Sequence, residues 1–331
     1  RTPLAEFRTQ GRGGVGSRGG STRSEDFIEY MYHATMHNTM LFFTQSGRCY
    51  WLKVYDIPEG TKSSKGRAIQ NMLNLAADDQ VSVCLYIRKL SNPEFCNSHY
   101  VVFCTKNGII KKTCLSEYSR PRVNGVNAIN IQEGDNVVSV CLTRGDEEIL
   151  VADKFGRAIH FNESTVRPMG RTATGVKAMT LEEGDEVIGM VSVCDPENES
   201  VMVVSEQGYG KRSKVEDYRI TNRGGKGVKT INITDKTGDL VALKAVTDND
   251  DLMIINKSGI TLRLHVSDVR IMGRATQGVR LINLGKRGDT IASVCRVPRE
   301  DSEEDTNDEF NDENTETSVQ ENNNEQVNEN N

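Results

Sequence analysis

The stretch Leu41-Phe-Phe-Thr-Gln-Ser-Gly47, an apolar run closing on a polar turn and a glycine, returns four more times along the chain. The recurrences are Val102-Phe-Cys-Thr-Lys-Asn-Gly108, Leu150-Val-Ala-Asp-Lys-Phe-Gly156, Val203-Val-Ser-Glu-Gln-Gly208 and Ile254-Ile-Asn-Lys-Ser-Gly259. A second glycine, just before a short apolar segment, falls at Gly16, Gly66, Gly125, Gly175, Gly227 and Gly278, giving steps of 50, 59, 50, 52 and 51 residues. Self-similarity at such a period marks stacked supersecondary units, and six units are expected. The one long step is assigned to an insertion near Arg88 to His99, where Asn92-Pro93 reads as loop.

Within a unit the order is strand, glycine turn, strand, long polar loop, strand, acidic turn (Glu133-Gly134-Asp135, Glu183-Gly184-Asp185, Arg287-Gly288-Asp289), strand. The strand segments are short and rich in Val and Ile, which favours β structure over helix. Four short strands per unit make a blade, and a blade cannot bury both faces alone, so the units stack radially. The expected fold is all-β: a six-bladed, propeller-like disc of four-stranded blades over residues 1–299. The first unit is incomplete. Thr2-Pro-Leu-Ala-Glu-Phe7 aligns with Thr113-Cys-Leu-Ser-Glu-Tyr118, but the strand and turn that precede Thr113 have no counterpart before Thr2. The missing strands are expected upstream of Arg1, which makes the chain a C-terminal piece of a longer polypeptide.

Residues 300–331 hold thirteen acidic residues and no Lys or Arg, a composition too polar to repay its ordering entropy, so a disordered acidic tail is expected. Without it the formal charge changes from −6 to +7, from 41 basic and 34 acidic residues in 1–299. A basic body with an acidic tail suits an anionic partner for which the tail competes. The eight cysteines show no C-x-x-C pair and lie mostly in apolar runs, as buried, reduced thiols of a cytosolic protein do.

The long polar loops carry a second regularity, R-x-x-[GN]-R-x-x-x-G, in four of six units: Arg8, Arg12, Gly16; Arg167, Arg171, Gly175; Arg219, Arg223, Gly227; Arg270, Arg274, Gly278. The two other loops stay basic, with Lys62, Lys65 and Arg67 in one and Arg120 and Arg122 in the other; the fifth-unit loop adds Lys226. One arginine in one surface loop means little. Repeated at equivalent positions of a disc, the charges fall along an arc, which suits a bent polyanion, since guanidinium groups bind phosphate through paired hydrogen bonds.

The first loop, Gln10-Gly-Arg-Gly-Gly-Val-Gly16, resembles the gyrase-A box, a heptapeptide reading Gln, basic, Arg, Gly, Gly, basic, Gly that marks the C-terminal domain of the bacterial gyrase A subunit. Gln10, Arg12, Gly13, Gly14 and Gly16 match, while Gly11 and Val15 stand where the usual basic residues are; Arg8, Arg18 and Arg23 lie nearby. The likeness extends through residue 299 and implies a β-pinwheel in which strands are exchanged between neighbouring blades. It also implies a non-catalytic role: duplex DNA wrapped around the basic rim, so that ATP-dependent strand passage adds negative supercoils. The implied partners are double-stranded DNA, the breakage-reunion region of the gyrase A polypeptide, and the gyrase B polypeptide in an A2B2 enzyme of the bacterial cytoplasm. No cofactor is implied in this fragment; ATP and Mg act on other regions or polypeptides of the enzyme.

Two rival readings share the disc. The C-terminal domain of the topoisomerase IV A polypeptide tends to have fewer blades and a degraded box. A protein-binding propeller displays aromatic or apolar hot spots on a face, and the Gly-His and Trp-Asp pairs of WD repeats are absent here. His33 and His37 are four apart, but in a strand-rich context that is no helical metal pair. No P-loop or Ser/His/Asp order is apparent.

Overall fold

In the computed structural model the described residues are 1–18, 28–285 and 288–299. Arg1–Arg299 form one compact unit; the expected tail, Arg23 and Arg287 lie outside the described residues. The unit is built from five four-stranded antiparallel sheets. Each follows one plan, shown by the second repeat. Strands Thr39–Thr44 and Arg48–Lys53 form a hairpin, Val81–Ile87 pairs with the free side of the first strand, and the two-residue strand Val126–Asn127 of the next unit pairs with the second. The outermost strand of every sheet is therefore donated by the following unit, and Ser17–Arg18 of the first unit completes the sheet of the last by pairing with Thr261 and Ile260.

The apolar runs that announce each unit are the middle strands of these sheets, and they are apolar on both faces because both faces are covered. Leu41 and Phe43 pack against Val101 and Phe103, whose rings meet edge to face at 4.9 Å between Phe43 and Phe103. The opposite face of that strand, Val102 and Cys104, packs against Ile149 and Val151. Leu150 and Ala152 then meet Val201 and Val203, and Met202 and Val204 meet Leu252 and Ile254.

Six blades were expected and five sheets are found among the described residues, where the first unit supplies an exchanged strand but no hairpin of its own. Its position between the last and second units holds the segment around residues 28–36. There Met31 packs on Met253, Cys295 and Val297, and the Cys84 N–H donates to the Tyr32 hydroxyl at 3.0 Å. Beside it lies a largely apolar cavity of about 640 Å³ bordered by Leu4, Phe7, Met40, Phe42, Met253 and Ile255. Two further differences are local. The insertion, read as loop, contains a short α-helix, Pro93–Ser98, with Pro93 in its first turn and the Asn92 side chain capping the Phe95 N–H at 3.0 Å. Among the cysteines, Cys194 is exposed rather than buried.

The landmark glycines are explained by the strand exchange. Gly125 and Gly175 have φ of 67° and 111°, and a Cβ at either would sit 2.9 Å from the Cys49 carbonyl oxygen or 2.5 Å from that of Ile110, on the strand it approaches. Gly66 has the same left-handed backbone, φ 72°, yet nothing lies within 4 Å, since the first unit forms no hairpin among the described residues for it to press against. Gly66→Ala is therefore expected to cost only the conformational penalty, about 1–2 kcal/mol. Gly175→Ala adds a backbone collision and is expected to cost at least about twice as much; urea titration of both variants measures the difference.

Candidate nucleic-acid interface

Each long loop leaves a single-turn 3-10 segment, such as Leu4–Glu6, Val215–Asp217 or Val266–Asp268, and ends at the landmark glycine, which in every unit but the second opens the exchanged strand. The loops therefore lie along the outer edges of successive sheets. Backbone bonds fix them there: Met169 N–H donates to Lys112 O at 2.7 Å, Thr221 N–H to His160 O at 2.8 Å, Met272 N–H to Arg212 O at 2.9 Å and Gln10 N–H to Arg263 O at 2.7 Å.

The two arginines of the repeated motif do different things. The first, at Arg8, Arg167, Arg219 and Arg270, is exposed, and its side chain has no polar partner among the described residues. The second is half-buried at Arg171, Arg223 and Arg274 and reaches back to the preceding unit. Arg223 donates to Thr165 O at 3.1 Å and Lys177 O at 3.0 Å; Arg274 donates to Asp217 O at 3.1 Å and Lys229 O at 2.8 Å. Arg171 pairs with Glu117 at 3.4 Å. These side chains are struts between units, with only part of the guanidinium left for a ligand. Of the other loop cations, Lys62 donates to Glu6 O and lies over the Phe7 ring at 4.3 Å, while Lys65, Arg67, Arg120, Arg122 and Lys226 are exposed without a polar side-chain partner among the described residues.

The first loop has its own internal frame. The Gln10 side-chain oxygen accepts the Gly16 N–H at 3.2 Å, Gly13 N–H donates to Leu281 O at 2.7 Å, and Asn283 N–H donates to Gly14 O at 3.1 Å. A Cβ on Gly14 would lie 3.0 Å from that Gln10 oxygen, and one on Gly16 would lie 2.7 Å from an Ile260 side-chain carbon and 2.9 Å from Thr261 O. Gln10, Gly14 and Gly16 thus shape the loop and tie the first unit to the last, and Arg12 is left exposed at its tip.

A second row of cations lies just beyond the landmark glycine, where the loop motif ends and the sequence pattern gave no warning of it. The exchanged strands end on Arg18, Lys177, Lys229 and Arg280, all exposed, with Asn127 the exception. The signal is legible afterwards as G-x-[KR] in four of six units. Arg280 leans on Tyr209, donating to its hydroxyl at 3.1 Å, and Lys229 donates to Asn232 at 3.1 Å.

Comparison with known proteins agrees with this geometry unit by unit. The family model for the DNA gyrase C-terminal domain, beta-propeller, matches residues 1–33, 38–85, 99–140, 147–194, 199–247 and 250–297. The chain belongs to the DNA gyrase C-terminal domain family. The six matched segments follow the six units, including the incomplete first one. The DNA gyrase A polypeptide of Staphylococcus epidermidis is 45% identical over 302 residues, covering 91% of this chain and 33% of the relative; that of Staphylococcus aureus is 43% identical over 305 residues, covering 92% and 34%. The chain therefore spans about a third of the length of these gyrase relatives. A solved gyrase A C-terminal domain superposes with a TM-score of 0.79 at 25% identity, covering 89% of this chain and 94% of that one. A topoisomerase IV C-terminal domain shares the fold at a TM-score of 0.67 and 24% identity, covering 86% and 92%. No helix among the described residues is long and apolar enough to cross a membrane.

Two lysines lie directly beneath the loops. Lys111 is fully buried, donating to Ala128 O and, at 2.7 Å, to Arg171 O of the next unit's loop; Lys211, two units on, donates to Ser213 Oγ at 3.2 Å and to Gly273 O at 2.7 Å. Burial pushes both down to about 7, helped at Lys111 by the Arg171 charge and at Lys211 by Arg274. Between pH 7 and the ordinary lysine value of 10.5 the unfolded chain binds more protons than the folded one, so this contribution to stability rises with pH and is absent below both values. The stability of the native chain relative to Lys111→Met is accordingly expected to rise from pH 7 to pH 9 in urea titrations. A difference that stays flat or falls contradicts the buried, readily deprotonated ammonium.

Proposed function

We propose that this chain is a non-catalytic domain that binds duplex DNA along the arc of its loops and bends it, so that the parent gyrase adds negative supercoils by ATP-dependent strand passage. The observation that carries the reading is the recurrence of an exposed arginine, without a polar side-chain partner among the described residues, at Arg8, Arg167, Arg219 and Arg270, backed by Arg18, Lys177, Lys229 and Arg280 on the exchanged strands. These charges sit at equivalent places on successive sheets, which is what continuous contact with a curved phosphate backbone requires. No recognition helix stands among them in the described residues, so contacts to the backbone without sequence preference are favoured. Arg12, Lys65, Arg67, Arg120, Arg122 and Lys226 extend the same surface; Lys62, Arg171, Arg223, Arg274 and Gln10 support it. In this reading the catalytic and ATP-using steps, with Mg, belong to the rest of the gyrase A polypeptide and to gyrase B, in a bacterial A2B2 enzyme of the cytoplasm.

If about 6 to 10 phosphates are contacted, affinity for long duplexes should fall by roughly 10³ to 10⁵ between 50 and 200 mM salt. A flat salt response in a binding titration contradicts the proposal. Deleting residues 300–331, thirteen of them acidic, is expected to tighten binding chiefly at low salt; equal affinities at low ionic strength would leave the tail no role at this surface.

Wrapping is separated from binding by DNA topology. Alanine at Gly14 or Gly16 would disrupt packing, so the informative change in the first loop is the pair Arg8→Ala with Arg12→Ala, both exposed. Smooth bending of a 20 to 30 base-pair site costs on the order of 1 to 6 kcal/mol, so the wrap depends on contacts continuing to the point where the first unit meets the last. The double variant is expected to keep most of the affinity and to lose much of the linking-number change when nicked circles are ligated in its presence. A linking-number change equal to the native chain's would remove the first loop from the wrapping path.

A further inference from the structure

The fourth residue of the second hairpin strand is Trp51, Lys112, His160, Arg212 or Arg263 in successive units. All five carry an N–H donor, and each donates across the unit boundary to the backbone of the next unit's 3-10 turn. Trp51 reaches Tyr118 O at 2.9 Å, His160 Nδ1 reaches Tyr218 O at 2.7 Å, Arg263 reaches Phe7 O at 3.2 Å, and Arg212 reaches Val269 O. Lys112 reaches Glu163 O at 3.4 Å, earlier in its turn. In three units the accepting carbonyl belongs to the residue immediately before the unpartnered arginine: Phe7 before Arg8, Tyr218 before Arg219, Val269 before Arg270. A carbonyl and the following N–H share one rigid plane, so the side chain sets the peptide on which that arginine stands. The same residue's own carbonyl then accepts the N–H two positions past the arginine, at Gln10, Thr221 and Met272. One residue of the preceding unit thus brackets each of these three arginines from both sides.

Acidic side chains hold the brackets in turn. His160 Nε2 lies 2.8 Å from Glu148, Arg263 is 2.7 Å from buried Asp251, and Arg212 pairs with Asp248. His160 and Arg212 are buried, and each of the three divides its hydrogen bonds between the next unit's backbone and an acidic side chain.

We propose that His160, Arg212 and Arg263 are positioning residues for DNA wrapping, each presenting the contact arginine of the following unit at a fixed height and angle along the arc. The inference rests on the reading of Arg8, Arg219 and Arg270 as phosphate contacts. Its test is a cycle on one pair, read by the slope of log affinity against log salt for a long duplex, which flattens by about 0.9 for each phosphate no longer engaged. Arg219→Ala is expected to flatten the slope by about 0.9. His160→Leu should do the same with Arg219 still present, the two changes together should do no more than either alone, and His160→Arg, the residue that the next two units use, should restore the native slope. A native slope in His160→Leu, or additive losses in the double variant, overturns the inference while the contact reading stands. A native slope in Arg219→Ala overturns both. Should His160→Leu fail to melt cooperatively, the cycle of Arg263→Met with Arg8→Ala decides by the same criterion.

Discussion

The donation of the outermost strand of each sheet by the following unit is the constraint from which the rest of the structure derives. A two-residue strand such as Val126–Asn127 can pair with Arg48 and Cys49 only if the backbone entering it passes close over the edge, and that approach demands a left-handed residue with no Cβ. Once the exchange is made, the chain between the 3-10 turn and the landmark glycine must cross from one sheet to its neighbour. The long loops are therefore crossings, anchored at both ends, and their charged side chains are carried along the outer edge at the spacing of the sheets.

This explains why so much was legible in the sequence and why the remainder was not. The glycine at intervals of about 50 residues stands out because a backbone collision, 2.5 Å at Gly175, permits nothing else there. The apolar runs are legible because strands such as Glu148–Asp153 and Ser200–Ser205 are covered on both faces. The division of the motif's arginines into free cations and struts was not legible. Arg274 is decided by carbonyls 57 and 45 residues away, and nothing beside it in sequence distinguishes it from Arg270. The missing sixth sheet lies between these cases. The glycine repeat counts six units, but among the described residues the first forms no hairpin, and nothing lies within 4 Å of Gly66, the next landmark glycine. The helix at Pro93–Ser98 escapes a reading of Asn-Pro as a breaker alone, because Asn before Pro is also a cap followed by a permitted first helical residue.

Energetics separates a surface that binds a polyanion from one that curves it. Holding a long side chain or a loop in place on binding costs roughly 0.5–1.5 kcal/mol per ordered side chain, and bending DNA adds its own elastic cost. A loop of free arginines would meet both costs with contacts each weakened by solvent. Here the ordering is done during folding: Arg223 and Arg274 are already hydrogen bonded across units, the peptides before Arg219 and Arg270 are fixed by His160 and Arg212, and Lys111 and Lys211 support the loops from below. The elements that look redundant in the sequence, the second arginines Arg171, Arg223 and Arg274 and the donor residue of each second hairpin strand, are those that tie successive units together. On the proposed reading, loops tied in this way would favour one curvature of the DNA over others, whereas the same net charge on mobile loops would favour contact and leave curvature to the duplex.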